Sequence, residues 1–346
     1  MPKVNIKDIA SKAGVSKTAV SFAFNSPARL SAATLKHILT IAEEMGYSPN
    51  PVARSMSTGR TGAIGLLVPQ PINEIIRNPH FPELIEGIGD VCTHSGLSLM
   101  LVPPLKGSMR RAIANAAVDG FITLGLEEDK ATMVVVRQYR VPFVTVDSDP
   151  IEGVPAINVD DAGGACQAMQ HVLEMGHRQI AILAIRSGKQ GHYKEYVGTL
   201  GARMSGYLKA LNQVGLSLNG RSVRLIECVS TEAGGIDGFQ ALWKSRRRPT
   251  AVVAMSDIIA IGVIKAAQDA GVRVPEDLSV VGFDNITLAG LIKPALTTVA
   301  QPSTEKGRLA ASLLVKMLDA AVPPTHEVLP TQLIVRQSVA APREGD

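Results

Sequence analysis

The 346-residue chain is short of the residues from which catalytic and membrane machinery is usually assembled. Its three cysteines, Cys92, Cys166 and Cys228, lie far apart. That spacing excludes a disulfide framework and a zinc cluster, and it suits buried thiols in a reducing cytoplasm. Aromatic residues make up 4% of the chain, and the one tryptophan, Trp243, reads with Phe239 and Leu242 as the core face of a helix. No apolar run approaches the roughly 20 residues that a membrane-spanning helix needs, and no apolar signal region leads the chain. A cytoplasmic protein with no membrane partner is expected. There is no G-x-S-x-G, no phosphate loop and no His/Cys metal spacing, and the G-x-G at Gly87 fails at its third glycine. Neither an enzyme nor a cofactor nor a metal is expected.

What is present is unevenly distributed. The net charge is only +4, yet residues 1–60 hold eight Lys/Arg against three Asp/Glu, a balance of +5 that leaves the remainder at −1. Positive charge concentrated at one end suits contact with phosphate there. With 46% hydrophobic residues, the chain is long enough for two or three compact units.

The head is the most informative stretch. Asn5 and Asp8 have the spacing of a capping box, and Ile6, Ile9, Ala10 and Ala13 share one helical face. Gly14 then supplies a left-handed turn. Ser16 caps a second helix, with Ala19, Val20, Ala23 and Phe24 inward and Lys17, Thr18, Ser21 and Phe22 outward. This is a helix-turn-helix layout, which presents the first turns of its second helix to base edges. A small helical bundle without a ligand is the alternative from spacing alone. A third helix runs from about Ala32 to Met45, capped by Ser31 and ended by Gly46, with Leu35, Ile38, Leu39, Ala42 and Met45 as its apolar stripe. Residues 47–65 are Pro- and Gly-rich, and read as a linker or as a hinge carrying a short helix after Pro51. From Ala63 the pattern alternates near-continuous apolar strands with amphipathic helices, which implies parallel sheets covered on both faces. There are too many strands for one doubly wound unit, so two lobes are expected.

The stretches VNIKDIASKAGVSKTAVSFAFN, MGYSPNPVARSM, GHRQIAIL, RPTAVVAMSD, VPEDLSVVGFDN and PALTTVAQP, in that order, resemble the LacI/GalR family of bacterial repressors across essentially the whole chain. The resemblance implies an all-α DNA-reading head (1–48), a hinge (49–62) and a periplasmic-binding-protein-like α/β core (63–346). The core would divide into an N-lobe, about 63–161 and 293–322, and a C-lobe, about 162–292 and 323–346. It also implies a homodimer or tetramer on a palindromic double-stranded operator, with or without a central CpG step, and a small polar effector, a sugar, between the lobes. A solute receptor without DNA function is the alternative.

Carried over by position, the resemblance places Lys17, Thr18 and Phe22 at bases, although Phe22 could instead pack on the next loop. Ser16, Thr18, Ser21, Asn25 and Tyr47 fall at backbone phosphates. Ala53, Arg54 and Met56 lie in the hinge, Met56 standing where relatives usually wedge a leucine into the minor groove. For the effector, the open-sheet rule points beyond the carboxyl ends of the strands. There Asp147, Asp257 and Asp284 end strands, Asn78, His80 and Phe81 follow the first strand, and Arg203 matches a ligand-reaching arginine of the family. Each aspartate also suits a cap or turn, and that reading is strongest for Asp257. The stretch CVSTEAG at 228–234 offers no aromatic platform, where relatives often have one.

Overall fold

A computed structural model of the chain describes residues 4–48, 55–56, 58–125, 134–136, 138, 141–186, 193–218 and 221–343. It divides into two units, residues 1–63 with 117–119, and residues 64–116 with 120–346.

The head forms from local signals. Helix α1 (Ile6–Ala13) has the full capping box: Asn5 accepts from backbone above it while Asp8 accepts the Asn5 N–H at 2.9 Å. It ends on Gly14 at φ 65°. Helix α2 (Lys17–Asn25) starts on Ser16, whose hydroxyl accepts the Ala19 N–H at 3.1 Å. Helix α3 (Ala32–Glu44) starts on Ser31. Ile9, Val20 and Ile38, one from each helix, are shut from solvent and form the centre of one small core. Full burial of each contributes about 1.5–3 kcal/mol. The stripe expected on α3 holds at Leu35, Ile38, Ala42 and Met45 but not at Leu39, which is 40% exposed, while Ile41 is buried instead, because α1 and α2 meet α3 on the Ile38–Ile41–Ala42 side.

The second unit contains twelve strands among its described residues: β1 (Ala63–Leu67), β2 (Ser98–Val102), β3 (Gly120–Leu124), β4 (Phe143–Val146), β5 (Ala156–Val159), β6 (Ile180–Ile185), β7 (Val223–Cys228), β8 (Ala251–Ala254), β9 (Ser279–Asp284), β10 (Thr297–Ala300), β11 (His326–Leu329) and β12 (Gln332–Ile334). Its helices are α4 (Ile72–Ile75), α5 (His80–Ser95), α6 (Met109–Asn115), α7 (Asp161–Glu174), α8 (Gly198–Gln213), α9 (Glu232–Trp243), α10 (Asp257–Asp269), α11 (Thr287–Leu291) and α12 (Ser303–Asp319). The strands form two six-stranded sheets, β11-β5-β4-β3-β1-β2 and β12-β10-β9-β8-β6-β7. Pairing is parallel from β1 through β3, β4 and β5 to β11. It is also parallel from β7 through β6, β8 and β9 to β10, with β12 joining β10 antiparallel. Separate apolar clusters lie on the two faces of the second sheet, one under α7 and α8, the other under α9 and α10.

The lobe boundaries differ from expectation at two of three crossings. Strand β10 belongs to the second sheet and β11 to the first, so the chain crosses near 301 and near 330 rather than near 292 and 323. Neither strand shows the long apolar run of its neighbours, β11 (HEVL) being an exposed edge and β10 (TTVA) buried mainly through threonines. Among the described residues, no helix is long and apolar enough to cross a membrane.

Helices α5 and α12 cover the first sheet and cross at two facing glycines. A Cβ on Gly87 would sit 1.8 Å from the Thr304 carbonyl oxygen, and one on Gly307 would sit 2.2 Å from that of Leu84. Backbone cannot yield locally as a flexible side chain can, so Gly307→Ala must push the helices apart. We expect a loss of about 1–3 kcal/mol, seen as an earlier circular-dichroism melt. An unchanged melt would show that the helices separate freely.

Candidate functional site

The outward face of α2 is set by its packing. Val20 and Ala23 bury its inner face, which leaves Ser16, Lys17 and Thr18 exposed on its first turn. Phe22 is half-buried, with the Arg29 guanidinium 5.1 Å from its ring centroid, so it does pack on the following turn while keeping an open edge. Asn25 donates to the Ser21 hydroxyl at 3.3 Å, and Tyr47 packs on Phe24 with centroids 5.4 Å apart. Ala53 and Arg54 lie outside the described residues. Met56 is 84% exposed.

The second site is a cleft of about 560 Å³ between the two sheets of the core. Its wall is built at the carboxyl ends of strands, where the helix N-termini also point. Gln70 follows β1, Gly125 follows β3 and Asp147 follows β4. From the other sheet, Arg186 follows β6, Ser230 follows β7, Ser256 follows β8 and Asp284 ends β9. Asn78, His80, Phe81 and Arg203 line it as well, so the cleft brings together six of the seven effector residues expected from sequence. A larger groove of about 870 Å³ runs along α8, but its lysines, Lys194 and Lys209, are exposed and it holds no buried charge.

Asp257 is the correction. Its Oδ2 accepts the Ile286 N–H at 2.9 Å and its Oδ1 accepts the Thr298 hydroxyl at 2.5 Å. Fully buried at the start of α10, it ties β9 to β10 and does not line the cleft. Ser256, not Asp257, is the cap residue of that helix.

The charged groups of the cleft form one connected network. Arg203, only 5% exposed, donates Nε to Asp161 at 2.8 Å and Nη1 to the Met255 carbonyl, and its Nη2 lies 3.7 Å from Asp284. Its plane stacks 3.7 Å over the Phe283 ring. Lys306, 0% exposed on α12, donates to both oxygens of Asp147 at 2.7 and 2.6 Å and to Gln301 Oε1 at 2.7 Å. Gln301 Nε2 in turn donates to Asp284 Oδ1 at 2.6 Å. Asp147 and Asp284 both sit on left-handed backbone, at φ 52° and φ 124°. Such positions cost about 1–3 kcal/mol each and concentrate at ligand clamps.

Electrostatics separate the two carboxylates. Burial would raise Asp147, but the touching Lys306 ammonium, His80 and Arg203 together outweigh it and hold the carboxyl below its usual range. Burial pushes Asp284 well up against the opposing pull of Arg203, with the neighbouring Asp257 adding to the rise. Burial, then Lys306, lowers His80 to about 3, so its ring is neutral near pH 7 and its Nδ1 meets the Ser303 hydroxyl at 2.8 Å.

Sequence reasoning missed Lys306, Gln301, Asp161, Arg186, Ser230 and Ser256. Gln301 had a signal, since it directly follows a strand in PALTTVAQP; recognising β10 would have found it.

Residues 5–50 match the family described as bacterial regulatory proteins, lacI family, and residues 169–339 match a periplasmic binding protein-like domain. The HTH-type transcriptional repressor PurR of Erwinia tasmaniensis is 34% identical over 345 residues, covering 97% of this chain and 96% of the relative. The solved complex of the transcriptional regulator CelR with cellobiose is 29% identical, covers 97% of this chain and all of that one, and has a TM-score of 0.71. The lac repressor dimer bound to operator and the anti-inducer ONPF has a TM-score of 0.82 over 98% of this chain and all of that one; at 23% identity this is a likeness of fold. A helix-turn-helix head, a two-sheet core with a polar cleft and full-length relatives at this identity place the chain in the LacI family of bacterial regulatory proteins.

Proposed function

We propose that two copies of the chain bind a palindromic DNA operator through their heads, and that a small polar effector, a sugar, enters the core cleft and changes operator affinity. Lys17 and Thr18 read bases, Lys17 as a donor to guanine, and Phe22 adds apolar contact. Ser16, Ser21, Asn25 and Tyr47 hold the phosphates and set register. In the cleft, Asp147 and Asp284 accept hydroxyl protons, while Asn78, His80, Phe81 and Arg203 complete the wall. The observation that carries this reading is the pairing of two left-handed, strand-end carboxylates across one cleft.

Effector and operator are coupled through one molecule, so each changes the affinity of the other by the same factor. The direct test is affinity selection of the purified protein on random and genomic duplex DNA, followed by sequencing. An enriched palindrome is expected. Failure to enrich one, repeated with pooled sugars and purines, would favour a solute receptor.

An 84% exposed methionine needs a use, and Met56 supplies an apolar wedge for a bent operator. Met56→Ala should weaken specific binding by about tenfold, roughly 1.4 kcal/mol, and leave nonspecific binding nearly unchanged, because only the deformed site needs the wedge. Gel-shift titrations on both kinds of DNA check this. Equal losses would remove the wedge.

A further inference from the structure

Lys306 is the only lysine among the buried described residues, and it lies on a helix whose pattern reads as an ordinary amphipathic stripe. Its ammonium has three protons to place, and three acceptors meet it: Asp147 Oδ1, Asp147 Oδ2 and Gln301 Oε1. The last of these contacts fixes which way round the Gln301 amide sits. With its oxygen on Lys306, its nitrogen must face Asp284, and it does, at 2.6 Å. A single chain of contacts therefore runs Asp147–Lys306–Gln301–Asp284–Arg203–Asp161. Asp147 ends a strand of the first sheet and Asp284 a strand of the second, while Gln301 and Asp161 sit on the segments where the chain crosses between them.

The charge count of this chain is informative. Asp147, Asp161 and Asp284 face two cations, Arg203 and Lys306, and both cations are already engaged by carboxylates. The remaining charges on the cleft wall among the described residues are exposed ones of opposite sign, Arg186 and Glu74. An anionic ligand would meet no uncommitted buried cation among the described residues. A hydroxylated ligand would find two fixed acceptors.

We propose that Lys306 is a positioning residue for the cleft: it holds Asp147 directly and Asp284 through the Gln301 amide, and by setting the spacing and charge of these two carboxylates it restricts the effector to uncharged, hydroxyl-rich molecules. This rests on the reading of the cleft as the effector site. Lys306 itself is behind Asp147 and acts through it.

The test is a thermal-shift and calorimetric panel on the full chain. It uses glucose, galactose, ribose, maltose and cellobiose as neutral probes, gluconate, glucuronate and glucose 6-phosphate as anions, and glucosamine and galactosamine as amines. At least one neutral saccharide should bind and no anion should. Lys306→Met leaves Asp147 unpaired, so affinity for the neutral ligand should fall tenfold or more and preference should shift toward the matching amino sugar. Near-UV circular dichroism reports whether the variant is folded. If it is not, Gln301→Leu keeps the Lys306–Asp147 pair and cuts only the link to Asp284. It should weaken neutral-sugar binding without changing the ratio of neutral to amino sugar; a shift of preference confined to the variant that strips the ammonium from Asp147 is what a merely structural role would not produce. Binding of an anion as tight as that of a neutral sugar, no binding by any neutral saccharide, or unchanged affinity in the folded variants would each overturn the inference. An enriched palindrome together with any of these outcomes would leave the regulator reading standing.

Discussion

Arg203→Met should lower the stability of the core by about 3–5 kcal/mol, the cost of breaking a buried ion pair from one side. Arg203 is engaged on every side: Asp161, the Met255 carbonyl, Asp284 and the face of Phe283. Methionine restores much of the packing and none of the charge, so two buried carboxylates lose their cation. Burial already pushes both Asp161 and Asp284 upward with Arg203 present, and without it they rise further. An acid whose folded-state pKa lies above its unfolded one stabilises the fold below the unfolded value and loses that contribution as pH rises through the folded value. The variant should therefore be penalised more at pH 8 than at pH 5. Trp243 gives the readout: as the sole tryptophan, stacked on Phe239 with centroids 4.9 Å apart, it reports unfolding of the second-sheet lobe in urea. Adding Asp161→Asn to Arg203→Met should recover part of the loss, because it removes one of the stranded charges. A single variant that unfolds at the wild-type urea concentration would show that the guanidinium is solvated.

How much of this was legible in the sequence depends on the range of the interaction. The head was almost fully so, because caps, a left-handed glycine and a 3.6-residue period are all local; on α3 only Leu39, at the edge of the stripe, was misplaced. Strands with continuous apolar runs were equally clear. What failed was non-local. Asp257 and Asp284 follow the same pattern, an aspartate at the end of an apolar strand, and nothing near either one says that Ile286 and Thr298 will consume both oxygens of Asp257. Lys306 lies 159 residues from Asp147 and sits in a stripe where lysines usually snorkel to water. It is buried against Asp147 and Gln301, contacts that only the assembled fold shows.

Asp284→Asn should abolish the effector response while leaving the effector-free protein at least as stable as the wild type. The isosteric amide keeps the Oδ1 acceptor for Gln301 and removes a charge whose burial the fold resists. By the same linkage, a carboxyl held above its unfolded value weakens the fold as pH rises through that value, so any gain from asparagine should grow from pH 5 to pH 8. Asparagine also tolerates positive φ better than most residues, so the strained position at φ 124° should persist. Binding is a different matter. Effector hydroxyls that donate to Asp284 favour its ionised form, which accepts from two of them at once in charge-assisted bonds, whereas an amide presents one acceptor and two donors. The effector would then face N–H groups where it needs a lone pair. Loss of one such charge-assisted pair is worth about 1.5–3 kcal/mol, roughly ten- to a hundredfold in effector affinity, and the linked change in operator affinity falls with it. Gel shifts on the selected operator with and without effector, beside melts at pH 5 and pH 8, separate the two effects. A variant that still responds to effector would mean that Asp284 serves only the fold. A variant that melts earlier than wild type at pH 8 would mean that its charge is welcome in the effector-free cleft, and that Arg203 rather than burial sets its state.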